Sequence, residues 1–99
     1  MIKYFLSNKA VEDLSNIWDY TFETWSENQA DKYYELLIDF CREISENPKI
    51  GKNYDVIGKD IRGYQASYHI IFYRITDNNE IEVLRILHKK MDLNSRMWE

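Results

Sequence analysis

The sequence has one cysteine, one proline and three glycines among its 99 residues. Cys41 alone cannot close an internal disulfide, and a single thiol offers no zinc-ligand spacing. A reducing compartment, the cytoplasm, is therefore expected. No proline- or glycine-rich linker divides the chain, and no repeat or low-complexity tract occurs. No stretch approaches the ~18 consecutive apolar residues of a membrane span. The opening Met1-Ile2-Lys3-Tyr4-Phe5-Leu6 soon turns polar, unlike the long apolar region of a secretory leader. Length allows one core and not two, so a single domain over 1–99 is expected.

Charge is present but unevenly placed. The net charge is −4. Residues 8–47 carry Lys9, Lys32 and Arg42 against ten acids, whereas residues 61–99 carry six basic and five acidic residues. An acidic first half argues against wrapping nucleic acid, which needs a broad basic surface. Direct nucleic-acid binding is not expected, and any anionic ligand falls to the C-terminal half.

Local patterns give an order of elements. Ile2, Tyr4 and Leu6 alternate with Lys3 and Phe5, as in a short strand. Ser7 suits a helix N-cap, because its hydroxyl can accept from an unpaired helix N–H. Ala10, Leu14, Ile17, Trp18 and Thr21 then recur at helical spacing, extended by Phe22 and Trp25. Glu12 and Asp13 fall early in this helix, where its dipole favours negative charge. Ser26-Glu27-Asn28-Gln29 is a capping-box pattern that starts a second helix. Its apolar stripe is Ala30, Tyr33, Tyr34, Leu37, Phe40, Cys41 and Ile44. Asn47-Pro48 ends it, since the residue before proline resists helical geometry. Residues 48–60 read as an ordered loop. Strands follow at 61–67, 68–76 and 81–87, with Asp77-Asn78-Asn79-Glu80 as a turn. The tail from His88 is either a short helix or an extended arm. The expected class is α+β, in the order β-α-α-β-β-β.

The strands 69–73 and 83–87 are apolar on both faces. Alternation puts Ile70 and Phe72 on one side, Ile71 and Tyr73 on the other. A helical hairpin covers one face. The second is covered either by a partner or by loop 48–60 and the tail.

Several motifs carry a resemblance. They are Ser7-Asn8-Lys9-Ala10-Val11-Glu12-Asp13-Leu14-Ser15-Asn16-Ile17 with Tyr20, then Gln29-Ala30 with Tyr33 and Leu37, and Asn47-Pro48 with Gly51. Next come Ile61-Arg62, Tyr68-His69-Ile70-Ile71-Phe72-Tyr73-Arg74, Ile81 to His88, and Met91-Asp92. In this order the chain resembles ParE-like toxins of the RelE/ParE superfamily. The resemblance implies a RelE-like fold with a closing three-stranded antiparallel sheet, a ParD-like antitoxin as partner, and DNA gyrase as target. It also leaves open the superfamily's other branch, which cleaves mRNA on the ribosome.

Such cleavage needs a base, an acid and cations for the phosphate charge. His88, Arg62, Arg74 and Arg85 are the residues that could supply them, with Lys89, Lys90 and Glu46 as further possibilities. His88 titrates near neutrality in its ordinary state. Its plain alternative is a strand-end histidine bonded to a backbone carbonyl. Arg62 and Arg74 have a plain alternative too, pairing with acids such as Glu82. His69, inside an apolar strand, reads as a satisfied core histidine. The negative charge of the chain favours an inhibitor over a nuclease, so no catalytic residue is expected in the first reading. Target binding is then assigned to Arg62, Arg74, Arg85, His88, Met91 and Arg96. Antitoxin binding is assigned to Trp18, Phe22, Tyr33, Leu37, Tyr68 and Tyr73, with the antitoxin lying across the sheet and the hairpin groove. Trp98 is either a contact residue or packs back on the fold. No metal or cofactor is expected, since no Ser–His–Asp order, phosphate-binding glycine loop or metal-ligand cluster occurs.

Overall fold

The computed structural model describes residues 3–98. Ile2, the first residue of the expected opening strand, lies outside them. The strand β1 runs Tyr4–Leu6. Helix α1 spans Asn8–Thr24 and α2 spans Glu27–Glu46. Then come β2 (Lys52–Asn53), β3 (Arg62–Ala66), β4 (His69–Ile75), β5 (Ile81–His88) and the short helix α3 (Leu93–Met97).

Both expected caps are made. The Ser7 hydroxyl accepts from the Ala10 amide at 3.0 Å and donates to the Leu84 carbonyl at 2.8 Å. One side chain thus starts α1 and fastens it to β5. The Ser26 hydroxyl accepts from the Gln29 amide at 3.1 Å. Helix α2 stops at Glu46, with Asn47 as its C-cap before Pro48. Asn79 takes a φ of 60° in the β4–β5 turn, a left-handed geometry that asparagine tolerates.

The sheet is mixed, with strand order β1-β5-β4-β3-β2. The three-stranded antiparallel unit β3-β4-β5 is as expected. Strand β1, however, pairs with β5 in parallel, and the loop after Pro48 contributes β2 as an antiparallel edge. Parallel pairing follows from connectivity, because the hairpin carries the chain across the sheet before β5 is laid down. A bulge in the β4–β5 ladder moves the register between Phe72, opposite Arg85, and Tyr73, opposite Val83. It lets Ile81, Val83 and Ile86 all face the hairpin cluster.

Two clusters bury the two sheet faces. Leu14, Leu37, Cys41, Ile44, Ile71 and Tyr73 fill the space under the hairpin. Ile61, Ile70, Phe72, Leu87 and Met97 fill the other side, flanked by Tyr54, Ile57, Leu84 and Leu93. The second face is therefore covered by loop 48–60 and α3, from within the chain. The inference from a doubly apolar sheet to a partner does not hold. Tyr73 anchors that loop: its hydroxyl donates to the Pro48 carbonyl at 2.7 Å and accepts from the Gly51 amide at 2.9 Å. A Cβ at Gly51 would lie 2.7 Å from that hydroxyl, so close approach requires glycine there.

Candidate functional site

A groove of about 950 Å³ opens between α1, the start of α2 and the ends of β4 and β5. Its lining includes Ile17, Tyr20, Trp25, Tyr33, Tyr68, His69, His88 and Met91. Tyr20, Trp25 and Tyr68 are exposed on it at 68%, 74% and 62%. Such exposure marks a contact surface, since large aromatics gain most from burial. Lys9, Glu12, Lys90 and Arg96 complete the rim.

The floor is a hydrogen-bonded cluster. His69 and His88 are opposite each other in the β4–β5 ladder, and their rings meet edge to face at 5.3 Å. The Tyr33 hydroxyl lies 2.7 Å from His69 Nδ1 and accepts from the Tyr68 amide at 3.2 Å. Burial raises the Tyr33 phenol pKa, so the group stays protonated. Burial lowers the His69 pKa from 6.5 to about 4, helped by nearby His88 and opposed by Asp13. The His88 Nδ1 accepts from the Lys90 amide at 3.1 Å. Tyr68 itself is presented by a two-residue turn in which Ser67 takes a φ of 61°, and Lys89 Nζ lies 5.5 Å from its ring centre.

Apart from Arg62 and Arg74, which lie outside the groove lining, the expected site residues divide into three groups. Tyr33, Tyr68, Arg85, His88, Met91 and Arg96 do line this groove. Leu37 and Tyr73 are wholly buried in the hairpin-side core, so neither can touch an antitoxin. Trp18 and Phe22 stack at 5.2 Å, with the Trp18 Nε1–H donating to Asp31 at 3.0 Å. They brace the hairpin and are absent from the groove lining.

The arginines are engaged within the fold. Arg85 forks onto Asp13 at 2.8 and 2.9 Å and also donates to the Arg96 carbonyl at 2.5 Å. It is only 8% exposed. Asp13 therefore serves as a buried counter-ion, not as the dipole partner expected of it. Arg74 pairs with Glu82 at 2.8 Å, the plain alternative foreseen for it. Arg62 donates to the Gly51 carbonyl at 3.0 Å and helps hold the loop. His88 takes the plain role in altered form, accepting from a backbone amide. Glu46 is exposed at the end of α2 and outside the groove. Trp98 remains largely exposed, with its Nε1–H donating to the Ile57 carbonyl at 3.4 Å.

Sequence reasoning missed His69 as a groove residue, together with Tyr20 and Trp25. The facing of His69 and His88 follows from hairpin register. Counting outward from the 77–80 turn misses it by one, because of the bulge. Among the described residues no group of three or more His, Cys, Asp or Glu could hold a metal ion. Among them, too, no helix is long and apolar enough to cross a membrane.

This layered arrangement, a helical hairpin on a mixed sheet, is RelE-like and is found in solved toxin–antitoxin complexes. A chain of a chromosomal ParDE toxin–antitoxin system from P. aeruginosa superposes with a TM-score of 0.78 at 19% identity, covering 89% of this chain and 96% of that one. A chain of the RelBE2 toxin–antitoxin complex of Mycobacterium tuberculosis gives 0.66 at 16% identity, covering 89% and 98%. The family model for the ParE toxin of the type II toxin–antitoxin system parDE matches residues 4–93. Toxin ParE1 of M. tuberculosis is 36% identical over 95 residues, covering 96% of this chain and 97% of that protein. Toxin ParE1 of Caulobacter vibrioides is 30% identical over 97 residues, covering 98% and 99%. The chain belongs to the ParE toxin family of type II toxin–antitoxin systems.

Proposed function

We propose that this toxin acts by binding DNA gyrase and is neutralised by a ParD-like antitoxin, in the cytoplasm. The observation that favours binding over RNA cleavage is the employment of its arginines. Arg85 is neutralised by Asp13, Arg74 by Glu82, and Arg62 is bound to the Gly51 carbonyl. A ribonuclease must instead aim cations at a phosphate whose charge grows in the transition state. His69 is held neutral down to about pH 4, which leaves it poorly matched to general-acid work at pH 7. The likeness to a ParDE toxin–antitoxin system and to Toxin ParE1 proteins supports an antitoxin partner.

The test is induction of the toxin in bacterial cells carrying a DNA-damage reporter, with transcript ends mapped in parallel. Reporter induction without ribosome-dependent cuts is expected. Cuts in translated mRNA without reporter induction would overturn this reading in favour of an mRNA interferase.

A further inference from the structure

The hydrogen bonds at the groove floor set both imidazoles with Nδ1 against a partner within the chain. The Tyr33 oxygen accepts from the Tyr68 amide, so its own proton needs an acceptor. The choices are His69 Nδ1 at 2.7 Å and the Ala66 carbonyl at 3.5 Å. A phenol proton on His69 Nδ1 leaves the ring proton to Nε2, whereas a phenol proton on Ala66 lets Nδ1–H donate to the Tyr33 oxygen across the same 2.7 Å. At His88 the Lys90 amide donates to Nδ1, so in the neutral ring the proton sits on Nε2. Neither Nε2 has a protein partner among the described residues. With the His69 proton on Nε2, the two rings offer two N–H donors to one groove.

We propose that His69 and His88 form a carboxylate-binding subsite that receives an Asp or Glu side chain on an apolar segment of the antitoxin. The occupant rests on the reading that an antitoxin protein neutralises this toxin. A carboxylate has two oxygens for the two Nε2–H donors. The rim carries Lys9 and Lys90 against Glu12, a locally positive place in a chain of net charge −4. The walls are exposed aromatics, which favour an apolar carrier. A phosphate is the poorer fit. It is best held by guanidinium forks, and the guanidinium of Arg85 is already spent on Asp13.

The test uses the full chain, labelled with ¹⁵N, in long-range imidazole spectra at pH 7. Both rings are expected as Nε2–H tautomers; an Nδ1–H tautomer at either ring overturns the subsite. N-acetyl-glutamate amide should then shift both Nε2 signals saturably. Its glutamine counterpart should bind about tenfold or more weakly, the cost of losing a charge-assisted bond. Inorganic phosphate binding as tightly as the carboxylate overturns the assignment, as does a lack of response to either probe. Tyr33→Phe keeps the ring and removes the proton donor to His69. It should shift His69 toward Nδ1–H and weaken the carboxylate probe about tenfold, with His88 unchanged; an unchanged His69 tautomer counts against the subsite. Last, the antitoxin encoded beside the gene is titrated onto wild type and His88→Phe. About tenfold weaker binding to the variant is expected. Equal binding overturns the subsite and leaves neutralisation standing, whereas no binding to wild type overturns the neutralisation reading itself.

Discussion

Asp13 accepts two hydrogen bonds from Arg85 and one from the Ile86 amide. Both side chains of the pair are almost wholly covered, at 9% and 11% exposure. Removing one partner strands the other as a buried charge, a loss of roughly 3–5 kcal/mol. Asp13→Ala should therefore lower unfolding free energy by about 3 kcal/mol in urea titrations. A loss below ~1 kcal/mol would mean that the pair is solvated in solution. None of this was legible in the sequence. Asp13 suits a helix start on local grounds, and its partner lies 72 positions away. His69 yields a second expectation. It faces Tyr33 from α2, His88 from β5 and Asp13 from α1. Its pKa falls from 6.5 to about 4 on folding, so between these values the unfolded chain binds more protons. Stability is then full above pH ~6.5 and declines as pH falls toward 4. Allowing for the partial exposure of the ring, the loss is about 1–2 kcal/mol. Urea midpoints of wild type and His69→Gln should converge at low pH; a constant gap would contradict this origin.

At the scale of elements, boundaries followed from local chemistry. Ser7, Ser26 and Asn47-Pro48 set the helix ends, and their effects act within a few residues. Strand faces were legible too, because alternation is local: Ile70 and Phe72 do separate from Ile71 and Tyr73. What covers the second face was not. Nothing local tells whether loop 48–60 and the tail fold over an apolar face or leave it to a partner. Met97, at 2% exposure, and the Arg85 bonds to the Arg96 and Met97 carbonyls decide it. Met97→Ala should cost about 2–3 kcal/mol, as expected for a buried methionine. Met97→Asp should undock α3 and raise binding of a hydrophobic dye to the face of Ile61, Ile70 and Phe72. An unchanged dye signal in a destabilised variant would place the damage elsewhere. The groove was half legible. Tyr33, Tyr68 and His88 were found from residue type, whereas His69 needed the register shift in the β4–β5 ladder.

For the whole molecule, charge and shape point the same way. The hairpin is acidic, and the groove rim gathers cations beside exposed aromatics. Hot spots at protein interfaces favour such aromatic clusters ringed by polar groups. The Arg85 fork closed on Asp13 and the pairing of Arg74 with Glu82 suit a binder whose surface is fixed before contact. Gyrase binding is the proposed action of this ParE-family toxin. Its most direct test is supercoiling by purified gyrase with increasing amounts of purified toxin, run beside a cell-free translation reaction. Saturable loss of supercoiling, restored by the antitoxin, with translation untouched, is expected. Full supercoiling at toxin levels that halt translation would contradict it.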